Sequence, residues 1–201
     1  MNQNVSDLLR SIKILEEELE QEFSKRREEF HFIMENKRIR FAEEMIAIHK
    51  RLKTGIIRYI LEAHPLNILT APVIYAGFIP FLLLDLFVTG YQAACFPVYG
   101  ITKVRRADYL IFDREELPYL NIIEKFNCFY CSYANGVASY VREIGARTEQ
   151  YWCPIKHARR IRDAHEHYHK FFEFGDAESF AIGLERLRNE ITKNEAQQHK
   201  S

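Results

Sequence analysis

The feature that most constrains this chain is a long stretch with almost no charge. No lysine or arginine occurs between Arg58 and Lys103, and residues 66–101 contain one charged side chain, Asp85. A transmembrane helix needs about 20 mainly apolar residues, because a rise of about 1.5 Å per residue must cover a hydrocarbon core of about 30 Å. The stretch is longer than one crossing needs and too short for two full crossings with a turn. We therefore predict that residues 65–101 are embedded in a membrane, with the lipid bilayer as a partner.

The path of the chain through the membrane is open to three interpretations. Prolines at positions 72, 80 and 97 argue against one straight rod, and we favour a re-entrant helical hairpin that bends near Pro80. A single crossing from about Ile68 to Val88 is the alternative, and a buried helix pair in a soluble bundle is another. Four basic residues lie near each end of the stretch, so the positive-inside rule selects no orientation. The hairpin would leave both ends of the chain in the cytoplasm.

Asp85 needs a separate interpretation, since an ionisable group in lipid is costly and marks a functional site with a partner by default. A bend at Pro80 would instead let Asp85 face packed protein or water. A structural role, in which its carboxylate is hydrogen-bonded, is therefore the other hypothesis.

The first 64 residues show the periodicity of amphipathic helices. Apolar residues recur at steps of three and four from Leu8 to Phe23 and on to Ile33, as in a coiled coil. Asn36 predicts a break, and a second helix is expected from Phe41 to Ile60. The second helix is basic, so it is expected either to lie on anionic head groups or to pack, with the first, on the C-terminal part of the chain. The apolar seam of the first helix predicts a homodimer or a helical protein partner.

The charge balance excludes one class of partner. Lys+Arg and Asp+Glu both number 28, so the formal net charge is zero and the pI is about 7.1. Bulk positive charge for binding nucleic acid is therefore missing. The four cysteines are too few for a disulfide scaffold, and each must be judged by its spacing.

Three cysteines and one histidine have the spacing of a metal site. Cys128 and Cys131 form a Cys-x2-Cys pair, and Cys153 and His157 form a Cys-x3-His pair. Zinc and iron bind four such ligands in a tetrahedron when the fold brings the pairs together. We predict a mononuclear site holding Zn²⁺, with Fe as the alternative metal. An iron–sulfur cluster, a redox dithiol formed by Cys128 with Cys131, and unpaired structural thiols are the other interpretations.

A second group of histidines follows at positions 165, 167 and 169. His165 and His169 would share one face of a helix at a spacing of four residues, which allows two imidazoles to bind one metal. They are the second-choice ligands, and nearby carboxylates could complete the set. These carboxylates are Glu143, Glu149, Glu166 and Glu173.

The sequence thus predicts a mainly α protein with four parts. Residues 1–64 form charged amphipathic helices, residues 65–101 the membrane-embedded segment, residues 102–186 a cytoplasmic Cys/His helical domain, and residues 187–201 a polar tail. Asp113, with Glu116 three residues later, predicts a helix start, and a short extended piece is expected between Val104 and Phe112. Nucleotide-binding and hydrolase motifs are missing from the sequence.

The two cysteine motifs, NCFYCSYANG and RTEQYWCPIKHA, resemble those of an uncharacterised family of bacterial membrane-associated proteins of similar length. The resemblance covers roughly residues 41–176 and implies association with the bacterial inner membrane, but no activity. The function expected is a membrane-associated metal-binding protein with a structural or interaction role. The alternative is a membrane-surface oxidoreductase that uses the dithiol, a cluster or an iron centre.

Overall fold

The computed structural model describes residues 3–29, 32–35, 38–41 and 43–193, and in these ranges the protein is mainly α-helical, as predicted. The helices are α1 (Gln3–Glu29), α2 (Glu43–Leu52), α3 (Ile56–Glu62), α4 (Pro65–Ala76), α5 (Phe78–Tyr99), α6 (Ile122–Trp152) and α7 (Ala177–Lys193). The chain forms two compact units. The first comprises Met1–Glu62 and Asp113–Phe126, and the second comprises Ala63–Phe112 and Asn127–Ser201. The predicted continuous domain over residues 102–186 is therefore divided between the two units.

The first unit departs from the two helices predicted for it. Strands β1 (Phe32–Glu35) and β2 (Arg38–Phe41) form an antiparallel hairpin after α1. Ile33 and Phe41 thus lie in strands, and the expected second helix is split into α2 and α3 around Gly55. The sequence RIRF of β2 alternates polar and apolar residues, which favours a strand over a helix. Asn36, the predicted break, lies outside the described residues.

Helix α6 begins later in the sequence than the helix start predicted at Asp113. Asp113–Glu116 forms only a 3-10 turn, and α6 begins after Asn121. The Asn121 side chain accepts hydrogen bonds from the backbone N–H groups of Ile123 (2.9 Å) and Glu124 (3.0 Å). The Glu124 carboxylate accepts the Asn121 N–H in return at 2.8 Å. This reciprocal capping box satisfies N–H groups that the first turn of a helix leaves open.

In the second unit, α4 and α5 follow each other with only Gly77 between them. His64 caps α4 by accepting the Leu66 N–H at 3.3 Å, and Pro65 occupies the first helical position. The bend predicted near Pro80 is absent, since α5 continues through it to Tyr99. Pro80 is the third residue of α5, where a backbone N–H has no partner within the helix, so its missing N–H costs no hydrogen bond.

The chain reverses after α5 and returns beside it. Gly100 adopts a left-handed conformation (φ 69°), and the Ile101 N–H bonds to the Phe96 carbonyl at 2.9 Å, which closes the helix end. The Gln92 amide then bonds to both backbone groups of Val104, with its oxygen 2.9 Å from the Val104 nitrogen. A 3-10 turn at Arg106–Asp108 stands where an extended piece was expected.

The core of the second unit lies between α5, this returning segment, α6 and α7. Its buried apolar residues come from all four elements, and they include Phe96, Leu110, Val137, Tyr140 and Ile144. Helix α7 adds Leu187 and Ile191, which are 2% and 6% exposed. The polar tail predicted from residue 187 is therefore wrong for residues 187–193, while residues 194–201 lie outside the described part of the chain.

Candidate functional site

The long apolar helix keeps most of its surface exposed. Pro65–Tyr99, a run of 35 residues, contains a window of mean hydropathy 2.0, and within the described residues it is the one helix long and apolar enough to cross a membrane. Helix α4 has no buried residue, and α5 buries only four. The large exposed apolar side chains of the run, apart from Val98, form an apolar face on α4 and the first half of α5: Leu66, Ile68, Leu69, Val73, Ile74, Ile79, Leu82, Leu83, Leu84, Leu86 and Phe87. The core helix of a soluble protein would bury such residues.

The four buried residues of α5 form a stripe with two polar members. They are Asp85, Val88, Gln92 and Phe96, at steps of three and four residues. Asp85 and Gln92 are seven residues apart and therefore lie on one face of the helix. The stripe faces the core, so the only carboxylate of the apolar run points away from its apolar face.

Asp85 is held by a bidentate ion pair. The Arg106 guanidinium donates to it from Nε (3.0 Å to Oδ1) and from Nη2 (2.6 Å to Oδ2). The Tyr133 hydroxyl donates to Oδ2 at 3.1 Å. A buried charge is tolerated when a partner and hydrogen bonds compensate its lost hydration, and the bond to Asp85 raises the pKa of Arg106 further above its ordinary value. This arrangement fits the structural hypothesis for Asp85, whose partner was not predicted.

A cleft of about 520 Å³ opens beside this ion pair, between α5 and α6. Its walls are apolar and aromatic: Phe78, Ile79, Leu82, Leu86, Phe129 and Tyr133. Asp85, Thr89 and Arg106 line its polar end. Apolar walls with a few polar groups at one end are typical of sites for small ligands. In the sequence, the lone charge of Asp85 was the signal for this site, but nothing in the sequence located the opposite wall of the cleft.

The structure does not bring the four predicted metal ligands together. Cys128 and Cys131 lie on α6, and Cys153 follows the last residue of that helix. A rise of about 1.5 Å per residue puts Cys131 roughly 30 Å from Cys153, whereas a zinc–sulfur bond measures about 2.3 Å. Among the described residues, no group of three or more His, Cys, Asp or Glu side chains is arranged to hold a metal ion. The structure therefore does not support the Cys₃His site.

Each predicted ligand has another environment. Cys131 and Cys153 are exposed and Cys128 is half-buried, and all of them are free thiols. His157 is exposed, and its backbone N–H donates to the Tyr168 hydroxyl at 2.7 Å. Cys128 and Cys131 share one face of α6, since they are three residues apart. The dithiol hypothesis stays a prediction.

The second-choice histidines are not on an α-helix. His165 precedes a 3-10 turn, Glu166–Lys170, that contains His169. Three residues complete a 3-10 turn, so residues four apart do not share a face there. His165 Nε2 lies 2.9 Å from Glu149 Oε2. The shared metal expected for His165 and His169 is therefore not supported.

His167 instead ties the 3-10 turn to α6. The Gln150 amide donates to the Leu187 carbonyl at 3.0 Å, so its oxygen faces His167 Nδ1 at 2.6 Å and that nitrogen carries a proton. His167 Nε2 lies 3.3 Å from Glu143 Oε1, which also accepts from Arg147 Nε at 2.7 Å. Hydrogen bonds from His167 and then Arg147 lower the pKa of Glu143 to about 2, against the opposing effect of burial.

Comparison of the chain with protein-family models, with curated proteins and with solved structures found no significant match.

Proposed function

We propose that this chain is a membrane-associated interaction protein, embedded by the exposed apolar face of α4 and α5. The observation that carries the proposal is the set of eleven large apolar side chains that are exposed between Leu66 and Phe87. Burying one such side chain contributes about 1.5–3 kcal/mol when it starts fully exposed. Eleven partly exposed ones supply enough free energy for stable association with a bilayer.

The returning segment favours embedding from one side over a full crossing. Residues 101–106 run back beside α5 and carry Lys103 and Arg105, which are exposed. A full crossing by α5 would draw these two charges into the hydrocarbon layer, at a cost of several kcal/mol. A helix that enters one leaflet by its apolar face leaves them in water or among head groups. Both ends of the chain then stay on one side, which we take to be the cytoplasmic side of a bacterial inner membrane.

The first unit supplies the interaction surface of the proposal. Helix α1 is 27 residues long, and its apolar seam is exposed, with Leu15 at 63% and Leu19 at 53%. Basic side chains on α2 and shortly after it are also exposed, and they suit anionic lipid. They are Lys50, Arg51 and Lys53. An apolar seam of this kind pairs with a second helix, from a second copy of the chain or from a protein partner.

Vesicle flotation of the purified full-length protein tests the membrane proposal. We expect the wild type to float with phosphatidylethanolamine–phosphatidylglycerol vesicles. The double variant Leu69→Glu/Leu83→Glu, which places two charges on the apolar face, should reduce the bound fraction by about tenfold or more. The matched control is Ile182→Glu on α7, an exposed apolar residue (77%) outside that face, which should float like the wild type. Equal losses in both variants, or a wild type that does not float, would overturn the proposal.

Labelling from one side of the membrane tests the topology. A single cysteine added at either end of a variant without native cysteines should react with an impermeant maleimide from the same side of sealed inverted vesicles. Labelling of the two ends from opposite sides would establish a crossing and reject the one-sided arrangement.

A further inference from the structure

We infer that the cleft between α5 and α6 is a binding site for one anionic phospholipid of the bilayer. An acyl chain would lie between Leu82 and Phe129, and the phosphate would contact Arg106. The inference rests on the proposed membrane association and adds a specific ligand and a specific site to it.

The walls of the cleft suit a hydrocarbon chain. Phe78 and Thr89 lie at its two ends on α5, about 17 Å apart along the helix. Its volume of about 520 Å³ lies within the range of sites that hold small ligands. A chain that enters this space replaces water against apolar side chains, which is favourable.

The cleft is continuous with the apolar face of α4 and α5. Three of its wall residues, Ile79, Leu82 and Leu86, are 65%, 51% and 64% exposed and belong to that face. An acyl chain can therefore enter sideways from the surrounding lipid without any opening of the protein. A water-borne ligand would instead have to reach a site whose rim is apolar.

The polar end of the cleft has the charge that a phosphate requires. The Asp85 side chain is 8% exposed and is engaged by Nε and Nη2 of Arg106, while the Arg106 side chain is 46% exposed. A ligand can thus reach the guanidinium but hardly the carboxylate. Lys103 and Arg105 are exposed on the same short segment, outside the residues that line the cleft. Their positive charge adds to the attraction of Arg106 for an anionic head group over a zwitterionic one.

Native mass spectrometry of the delipidated full-length protein in detergent, titrated with dioleoylphosphatidylglycerol, tests the inference. We expect one lipid to bind with saturation, and Leu82→Trp to weaken its binding by about tenfold because the indole fills the cleft. Leu83→Trp is the matched control, since Leu83 is a similarly exposed neighbour (62%) outside the cleft, and it should bind like the wild type. Equal affinities of the two variants would overturn the site.

Head-group preference is tested with dioleoylphosphatidylcholine as the second probe. Phosphatidylglycerol should bind more tightly to the wild type, and Lys103→Gln/Arg105→Gln should reduce that preference by about tenfold. Equal binding of the two lipids to the wild type would overturn the anionic assignment.

Flotation of Leu82→Trp separates this inference from the proposed function. A variant that floats normally and loses the bound lipid supports both, whereas normal flotation with unaltered lipid binding rejects the cleft alone.

Discussion

Gly136 lies where α6 comes closest to the returning segment. A Cβ atom at this position would lie 2.7 Å from the Tyr109 carbonyl oxygen and 3.2 Å from the Leu110 Cα atom. Both of these atoms belong to the backbone, so they cannot rotate away as a side chain does. Glycine is therefore required at residue 136 for α6 to pack against the chain that returns from α5. Gly145, nine residues later on the same helix, faces open space.

Alanine at these two glycines should have opposite effects on stability. We expect Gly136→Ala to lower the free energy of unfolding by about 1–3 kcal/mol through overpacking. Gly145→Ala should raise it by about 0.5–1 kcal/mol, because alanine loses less conformational entropy in a helix. Denaturant titration followed by circular dichroism measures both changes. Destabilisation of the same size at both positions would contradict the close approach at Gly136.

The Asp85–Arg106 pair makes a second prediction at the residue scale. Arg106→Gln leaves the Asp85 carboxylate, whose side chain is 8% exposed, without the charge that compensates it and should lower the free energy of unfolding by about 2–4 kcal/mol. Adding Asp85→Asn should recover part of that loss, since no uncompensated buried charge then remains. Asp108→Asn is the control, because its exposed carboxylate lies 4.0 Å from Arg105 and a surface pair contributes little. Strictly additive losses in the double variant would show that the two side chains are not coupled.

At the scale of elements, a charged cluster joins the 3-10 turn at Glu166–Lys170 to α6. Glu143 accepts from both Arg147 and His167, and Gln150 extends the cluster to α7 through Leu187. The Glu143 carboxylate is the shared acceptor, so its ionisation holds the cluster together. Its pKa is lowered to about 2 in the folded protein, from an ordinary value of 4.5.

The lowered pKa of Glu143 predicts an acid-dependent loss of stability. Its contribution is fully present above about pH 4.5 and is lost as the pH falls towards 2, because the folded protein then has to bind a proton it resists. Glu143→Gln should therefore be less stable than the wild type by about 1–3 kcal/mol at pH 7. The difference should shrink as the pH falls from 4.5 to 2 in denaturant titrations. Glu178→Gln, at an exposed position of α7, should stay within about 0.5 kcal/mol of the wild type throughout, and a pH-independent deficit of Glu143→Gln would contradict the assignment.

The sequence predicted the elements that are determined by local patterns of charged and apolar residues. The lack of charge in residues 66–101 predicted the apolar helix, and the periodicity from Leu8 to Phe23 predicted α1. The cysteine spacing misled, because it does not tell whether the 21 residues between Cys131 and Cys153 turn back or continue as a helix. Residues 126–141 carry no charge, and this stretch packs along α5 as part of one 31-residue helix. The Arg106 partner of Asp85 was not foreseen, because the reversal at Gly100 is a tertiary feature.

At the scale of the whole molecule, α1 offers a surface for assembly. Its seam residues are spaced by three and four positions and are all about half exposed or more: Leu8, Ile12, Leu15, Leu19 and Phe23. The rest of the helix surface is mostly Glu, Lys and Arg. This pattern is typical of a helix that pairs with another one through a narrow stripe.

We expect the full-length protein to self-associate through this seam. Leu15→Glu should weaken a homodimer by about tenfold or more, since it buries a charge in the stripe. Ile14→Glu is the matched control, because Ile14 is an exposed neighbour (49%) that lies off the seam. Sedimentation equilibrium in detergent measures both variants. A monomeric wild type would leave a different helical protein as the partner of α1, and equal effects of both variants would reject the seam.

The reversal at Gly100 also fixes how much chain the loop after α5 can lose. From Asp85 to Tyr99 the helix rises about 21 Å, and the six steps from Gly100 to Arg106 reach about 20 Å when nearly fully extended. The connection therefore has little spare length between its two anchors, the end of the helix and the ion pair. A deletion of one residue between them would pull the guanidinium from its carboxylate or unwind the last turn, whereas an added residue could bulge outwards. This connection should thus tolerate the insertion of a residue but not the deletion of one.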